Sequence, residues 1–105
     1  MVLVNSGSGI AARAGWASYA ASKFALRAFA DALRAEEAAH GVRVTSVHPG
    51  RVDTDMQRGV VAHEGGEYRP EAYLRPESVA DAVRLALTAG PDAAVTEVVL
   101  RPAGS

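Results

Sequence analysis

The sequence predicts an α/β fold built on a parallel sheet. Three short apolar runs rich in β-branched residues, at 1–4, 42–47 and 94–100, read as buried strands. Two stretches with helical character, 16–40 and 76–89, separate them. Strands that alternate with helices pair in parallel, because a crossover returns the chain to the same end of the sheet. The expectation is three parallel strands with the long helix on one face and the shorter helix on the other. It is argued from element order and from the right-handed preference of such crossovers.

Each element has its own justification. Met1 to Val4 is an aliphatic run that leads directly into the glycine-rich loop Asn5 to Gly15. The run begins at the first residue, so one neighbour of this strand is expected to lie outside the sequence. Trp16 to His40 is rich in alanine, which combines high helix propensity with a side chain small enough for close packing. Leu26, Phe29, Ala30 and Leu33 follow i, i+3, i+4, i+7 and form the expected apolar stripe. Gly41 suits the left-handed position after the helix. Val42 to Val47 is the second strand, ended by Pro49-Gly50. In 53–76, Met56 and Val60 suit one face of a short helix, Gly65-Gly66 adds freedom, and Pro70 and Pro76 break regular structure. Pro76 and Glu77 fit the first turn of the second long helix, with Val79, Val83 and Leu87 spaced i, i+4, i+8. Gly90-Pro91 stops it, and Ala94 to Leu100 is the last strand.

Composition narrows the function classes. The chain has 105 residues and a formal net charge of −1, so no nucleic-acid partner is implied. It has no cysteine, which excludes disulfides and thiolate chemistry. His40, His48 and His63 show no metal-ligand spacing. No apolar run approaches the ~18 residues of a membrane span, and no signal peptide is visible. The cytoplasm is the expected compartment, and His48, before a proline, is expected to be structural.

The chemistry concentrates in Ser18-Tyr19-Ala20-Ala21-Ser22-Lys23. Tyr19 and Lys23 are i and i+4, one above the other on a helix face. An ammonium beside a phenol stabilises the phenolate, which makes the pair a proton donor and acceptor suited to neutral pH. Ser6 lies thirteen residues before Tyr19, at the end of the first strand. There its hydroxyl can hold a substrate oxygen, or simply cap a turn. Ser8 replaces it only if the loop is shifted. His48-Pro49-Gly50-Arg51-Val52-Asp53-Thr54 follows the second strand, at the sheet edge where open parallel sheets bind ligands. Thr54 is also a candidate helix N-cap.

The serine loop, Tyr-Ala-Ala-Ser-Lys and the Pro49-Gly50 segment together resemble the short-chain dehydrogenase/reductase family, in its compact single-domain branch. The resemblance runs from the first strand to the last but covers only the C-terminal portion of a family member. It implies the C-terminal part of a Rossmann-like sheet, with residues 1–105 as a partial domain. Its Thr-Gly-x-x-x-Gly-x-Gly pyrophosphate turn is not found in these residues. The resemblance implies hydride transfer between NAD or NADP and a small carbonyl or alcohol substrate. Ser6, Tyr19 and Lys23 would be catalytic. Tyr19, Lys23, Pro49, Gly50, Val52 and Thr54 would meet the cofactor, with Lys23 on the nicotinamide ribose and the Val52 backbone and Thr54 on the carboxamide. It also implies a flap over the substrate formed by 53–76, with Met56, Val60, Tyr68 and Tyr73 as candidate lining residues. The helix at 16–40 would join two copies in a homo-oligomer. A different reading is a non-catalytic remnant that serves as a dimerisation or interaction module. A sugar-nucleotide epimerase also carries Tyr-x-x-x-Lys, but Pro49-Gly50 and the short C-terminal part argue against it.

Overall fold

Three strands, β1 (Val2–Val4), β2 (Thr45–Pro49) and β3 (Glu97–Leu100), form one parallel sheet in the order β1-β2-β3. The computed structural model describes all residues except Thr54, Tyr68, Gly104 and Ser105, and the side chains of Asp55 and Met56. Helix α1 (Ala17–Glu37) joins β1 to β2, and α2 (Asp55–Glu64) and α3 (Pro76–Thr88) lie between β2 and β3. Short 3₁₀ turns occupy Gly7–Gly9, Ala38–His40 and Pro70–Ala72. The left-handed turn expected after the long helix falls on Gly41, at φ 72°.

Register assigns the faces. Leu3 pairs with Ser46 and Ser46 with Glu97, so Leu3, Ser46, His48, Glu97 and Val99 share one face. Helix α1 covers that face, where Arg27 forms a bidentate ion pair with Glu97. Val2, Thr45 and Val47 share the other face, and Ala86 of α3 borders the groove beside Val2 and Thr45. The two long helices therefore lie on opposite faces, as expected from the sequence. The handedness argument behind that expectation does not hold. Both connections step in the same direction along the sheet, so helices on opposite faces require connections of opposite hand. One of them departs from the right-handed rule. The second connection differs physically from a plain crossover. It runs out through α2, returns through a parallel bridge between Val52 and Leu74, and only then enters α3.

Strands β2 and β3 begin later than expected. Residues 42–44 were expected in β2, but the Val44 carbonyl accepts from Arg34 Nε and the Arg43 carbonyl from the Met1 ammonium. Arg34 also donates through Nη2 to the Thr96 carbonyl, just before β3. At the other end β2 continues through Pro49, which pairs with Leu100 and passes the next donor role to the Gly50 N–H.

The helices bury small residues. In α1, Ala20 and Ala30 are buried and Leu26 and Leu33 half-buried, but Phe29 is 57 % exposed. The expected stripe is thus rotated: the inward line runs through Ala20, Lys23, Arg27, Ala30 and Arg34, spaced i, i+3, i+7, i+10, i+14. Alanine at the contact lets the backbone approach the sheet, and Phe24 and Phe29 are left exposed. In α3, Val79 and Val83 face inward as expected and Ala82 completes the contact. Leu87 lies exposed on the rim of the groove beside β1. The short helix expected within 53–76 is α2. Its buried residues are Gln57 and Val61, with Val60 half-buried.

Candidate active site

The site forms where β1 and β2 end. The Asn5 N–H still donates to the Val47 carbonyl, the last bond of the β1–β2 ladder. Donors from β2 to β1 recur at every second residue, as at Thr45 N–H to the Met1 carbonyl. The donor that would next serve the Asn5 carbonyl is Pro49, which has no N–H. The chain leaves the sheet there and turns into the 3₁₀ turn Gly7–Gly9.

Ser6 is the N-cap of that turn, and its Oγ accepts from the Ser8 N–H at 3.1 Å. The capping role and the substrate role are compatible, because a hydroxyl that accepts still has its own proton to donate. A Cβ on Gly7 would lie 3.8 Å from the Pro49 carbonyl oxygen and 4.0 Å from the Gly50 Cα. The serine loop and the Pro49-Gly50 segment are therefore in contact, as their positions at neighbouring strand ends require.

Helix α1 starts beyond the strand ends, so its first turns project past the sheet. Tyr19 is 40 % exposed there, and its ring meets Trp16 edge-on with centroids 5.8 Å apart. Lys23 Nζ lies 5.6 Å from the Tyr19 ring centroid. The helical spacing has brought ammonium and phenol together, with Lys23 half-buried and Tyr19 open to a ligand.

Two residues that sequence reasoning did not assign to the site hold it together. Asn5 is buried, and its Nδ2 donates to the Lys23 carbonyl at 3.0 Å, tying the serine loop to the turn of α1 that carries Lys23. Gly9 makes room for that amide: a Cβ there would lie 2.8 Å from Asn5 Nδ2. His48 is completely buried, with Nδ1 3.2 Å from the Ser6 carbonyl oxygen. The signal for Asn5 and Gly9 was the run Asn5-Ser6-Gly7-Ser8-Gly9, but only the fold shows that the asparagine turns inward. Gly9→Ala is expected to push the Asn5 amide off the Lys23 carbonyl and to cost about 1–3 kcal/mol as overpacking. Thermal unfolding of the variant measures this, and an unchanged Tm would contradict it.

The Pro49-Gly50 segment is firmly placed. The Gly50 N–H donates to the Leu100 carbonyl at 2.8 Å, and a Cβ on Gly50 would meet Pro102 Cδ at 3.3 Å. The Val52–Leu74 bridge uses the Asp53 N–H and the Arg51 carbonyl, so it does not consume the N–H or carbonyl of Val52. Thr54 lies outside the described residues, as does Tyr68 and the side chain of Met56. Of the other expected lining residues, Tyr73 lies under the Arg51 guanidinium, 5.6 Å from its ring centroid. Arg51 in turn pairs with Glu64 of α2 at 2.7 Å. Val60 is half-buried on α2.

These residues fit the nicotinamide end of a dinucleotide. A lysine beside a tyrosine early in α1 and glycines where the serine loop touches Pro49-Gly50 lie near the ends of β1 and β2. Among the described residues no group of three or more His, Cys, Asp or Glu side chains is placed to hold a metal ion. No described helix is long and apolar enough to cross a membrane.

The chain is 41 % identical over 86 residues to an uncharacterised oxidoreductase of Staphylococcus epidermidis, a match that covers 82 % of this chain and 35 % of that protein. It is 33 % identical over 96 residues to an uncharacterised NAD-dependent oxidoreductase of Mycobacterium tuberculosis, covering 79 % of this chain and 35 % of the relative. In three dimensions it superimposes with a TM-score of 0.78 on an alcohol dehydrogenase of the archaeon Thermococcus sibiricus, complexed with 5-hydroxy-NADP, at 26 % identity. That superposition covers 99 % of this chain and 42 % of the archaeal one. The chain thus spans 35 % of the length of these two relatives and 42 % of the archaeal enzyme. The family model for short chain dehydrogenases matches residues 1–65, which include the serine loop, Tyr19, Lys23 and the Pro49-Gly50 segment. The chain belongs to the short-chain dehydrogenase family.

Proposed function

We propose that this chain is the catalytic end of an NAD(P)-dependent dehydrogenase or reductase acting on a small carbonyl or alcohol substrate. The observation that carries this reading is the Tyr19–Lys23 pair in the first turns of α1 beside the serine loop, with Tyr19 exposed and Lys23 half-buried. Tyr19 gives its phenolic proton to the carbonyl oxygen in reduction, or takes the hydroxyl proton in oxidation. Lys23 supports charge on the phenol and grips the nicotinamide ribose. Ser6 donates to the substrate oxygen and stabilises the charge that develops on it. Pro49, Gly50 and the backbone of Val52 would meet the nicotinamide, and the family resemblance assigns Thr54, which lies outside the described residues, to the same group. The bound cofactor, NAD or NADP, supplies or accepts the hydride.

The interaction-module reading rests on a different observation. Phe24 and Phe29 of α1 are both exposed. They suit a helix-to-helix contact between two copies, and this is compatible with catalysis.

A chimera separates the two readings. Residues 1–105 replace the matching segment of the Staphylococcus epidermidis relative, whose remaining length supplies the rest of the domain. The chimera is expected to oxidise or reduce at least one member of a panel of simple alcohols and ketones. Ser6→Ala is expected to lower its turnover by about 10²-fold, the loss typical of a single oxyanion donor. A folded, dinucleotide-binding chimera with no turnover on any panel member would leave only the interaction module.

A further inference from the structure

We propose that His48 is a positioning residue for Ser6: its ring supplies, through Nδ1–H, the hydrogen bond that fixes the serine loop where the sheet cannot. Its link to turnover rests on the proposed catalytic role of Ser6; its structural part does not.

The argument begins with the missing donor. Pro49 has no N–H for the Asn5 carbonyl, so the β1–β2 ladder stops at Asn5 N–H to the Val47 carbonyl. The chain beyond would be free to swing at the residue that carries the candidate hydroxyl. His48, the residue before that proline, sits beside Asn5 in the sheet register and on the face covered by α1. Its Nδ1 reaches one residue further, to the carbonyl of Ser6 at 3.2 Å. The same carbonyl accepts the Gly9 N–H at 2.9 Å. Two donors on one carbonyl fix the plane of the Ser6–Gly7 peptide. They thereby fix the direction in which the Ser6 side chain leaves the backbone.

The chemistry of the acceptor sets the proton. A carbonyl oxygen only accepts, so Nδ1 must carry the hydrogen. The ring has no solvent exposure and cannot exchange this bond for one to water. Its other nitrogen, Nε2, has no hydrogen-bond partner among the described residues and faces Glu97 Oε1 at 3.6 Å. That same oxygen is held by Arg27 Nε at 2.9 Å, and Arg27 Nη2 holds the second carboxylate oxygen at 3.2 Å. Glu97 of β3 and Arg27 of α1 thus wall the far side of the ring, which keeps Nδ1 aimed at Ser6.

Three experiments test this. In the wild-type chain labelled with ¹⁵N-histidine, solid-state spectra are expected to show a proton on Nδ1 of His48; a bare Nδ1 would overturn the proposal. Solid-state spectra do not require a monomeric sample. In hydrogen–deuterium exchange followed by mass spectrometry, His48→Leu is expected to speed exchange of the amides at 8–10 about tenfold, the scale of one lost hydrogen bond. Amides of β2 and β3 are expected to keep their protection. His48→Asn, which retains a donor near the Nδ1 position, is expected to restore most of the loop's protection. Equal loosening by both variants, or none by His48→Leu, would show that the ring only fills space. In an active chimera, His48→Leu is expected to lower kcat and leave the cofactor KM unchanged, with recovery in His48→Asn. An unchanged kcat would overturn the positioning role. Failure of the catalytic reading appears separately, as full turnover in Tyr19→Phe.

Discussion

Replacing Tyr19 by phenylalanine in an active protein containing this segment is expected to lower turnover by about 10²–10⁴-fold, the contribution typical of a positioned proton donor. The fold should be unaffected, because the hydroxyl is at the exposed tip of a ring whose packing against Trp16 is retained. Cofactor affinity should change little, since Lys23 keeps its place one turn along α1. Circular dichroism, dinucleotide titration and steady-state rates on a panel of ketones and alcohols read the three parts separately. Wild-type turnover in the variant would remove Tyr19 from the chemistry.

The isolated 105-residue chain is expected to self-associate and to bind no dinucleotide tightly. Among the described residues strand β1 pairs only with β2, so its other edge is open, and such edges recruit further strands. Beside that edge Met1, Val4 and Leu87 are all exposed. Covering such area contributes on the order of 25 cal/mol per Å². Phe24 and Phe29 of α1 add further exposed apolar area. The residues proposed to hold a cofactor would all meet its nicotinamide end. A glycine-rich turn of the Thr-Gly-x-x-x-Gly-x-Gly type, which would cradle the pyrophosphate, does not occur in residues 1–105. Light scattering and calorimetric titration with NAD and NADP measure both parts. A monodisperse monomer with micromolar dinucleotide affinity would contradict this expectation.

The sequence was most legible where the signal is local. Apolar runs located three strands, alanine content and periodicity located α1, and the i, i+4 spacing placed Lys23 beside Tyr19. It was less legible where side chains from distant elements intervene. Residues 42–44 and 94–96 fall outside the strands expected to contain them; there Arg34 of α1 reaches the Val44 carbonyl and shares the Thr96 carbonyl with the Ser46 N–H. The α1 stripe was misread at Phe29 because hydrophobicity alone favours the larger side chain, whereas close packing on the sheet selects Ala30. The crossover rule failed because it describes a strand, a helix and a strand, and the second connection also contains α2 and the Val52–Leu74 bridge. Asn5 and His48 depended on register. Nothing local to either residue says that one turns toward Lys23 and the other toward Ser6.

The most direct test of the account is to follow the hydride itself. The chimera described above is supplied with NADH or NADPH deuterated at nicotinamide C4 and with an accepted ketone, and the product alcohol is analysed by mass spectrometry. The account requires deuterium on the new carbinol carbon in the wild-type chimera, and its near-complete loss over the same interval in Tyr19→Phe. An alcohol formed without the label, or formed with the label equally fast in the Tyr19→Phe protein, would show that these residues do not carry the proposed chemistry.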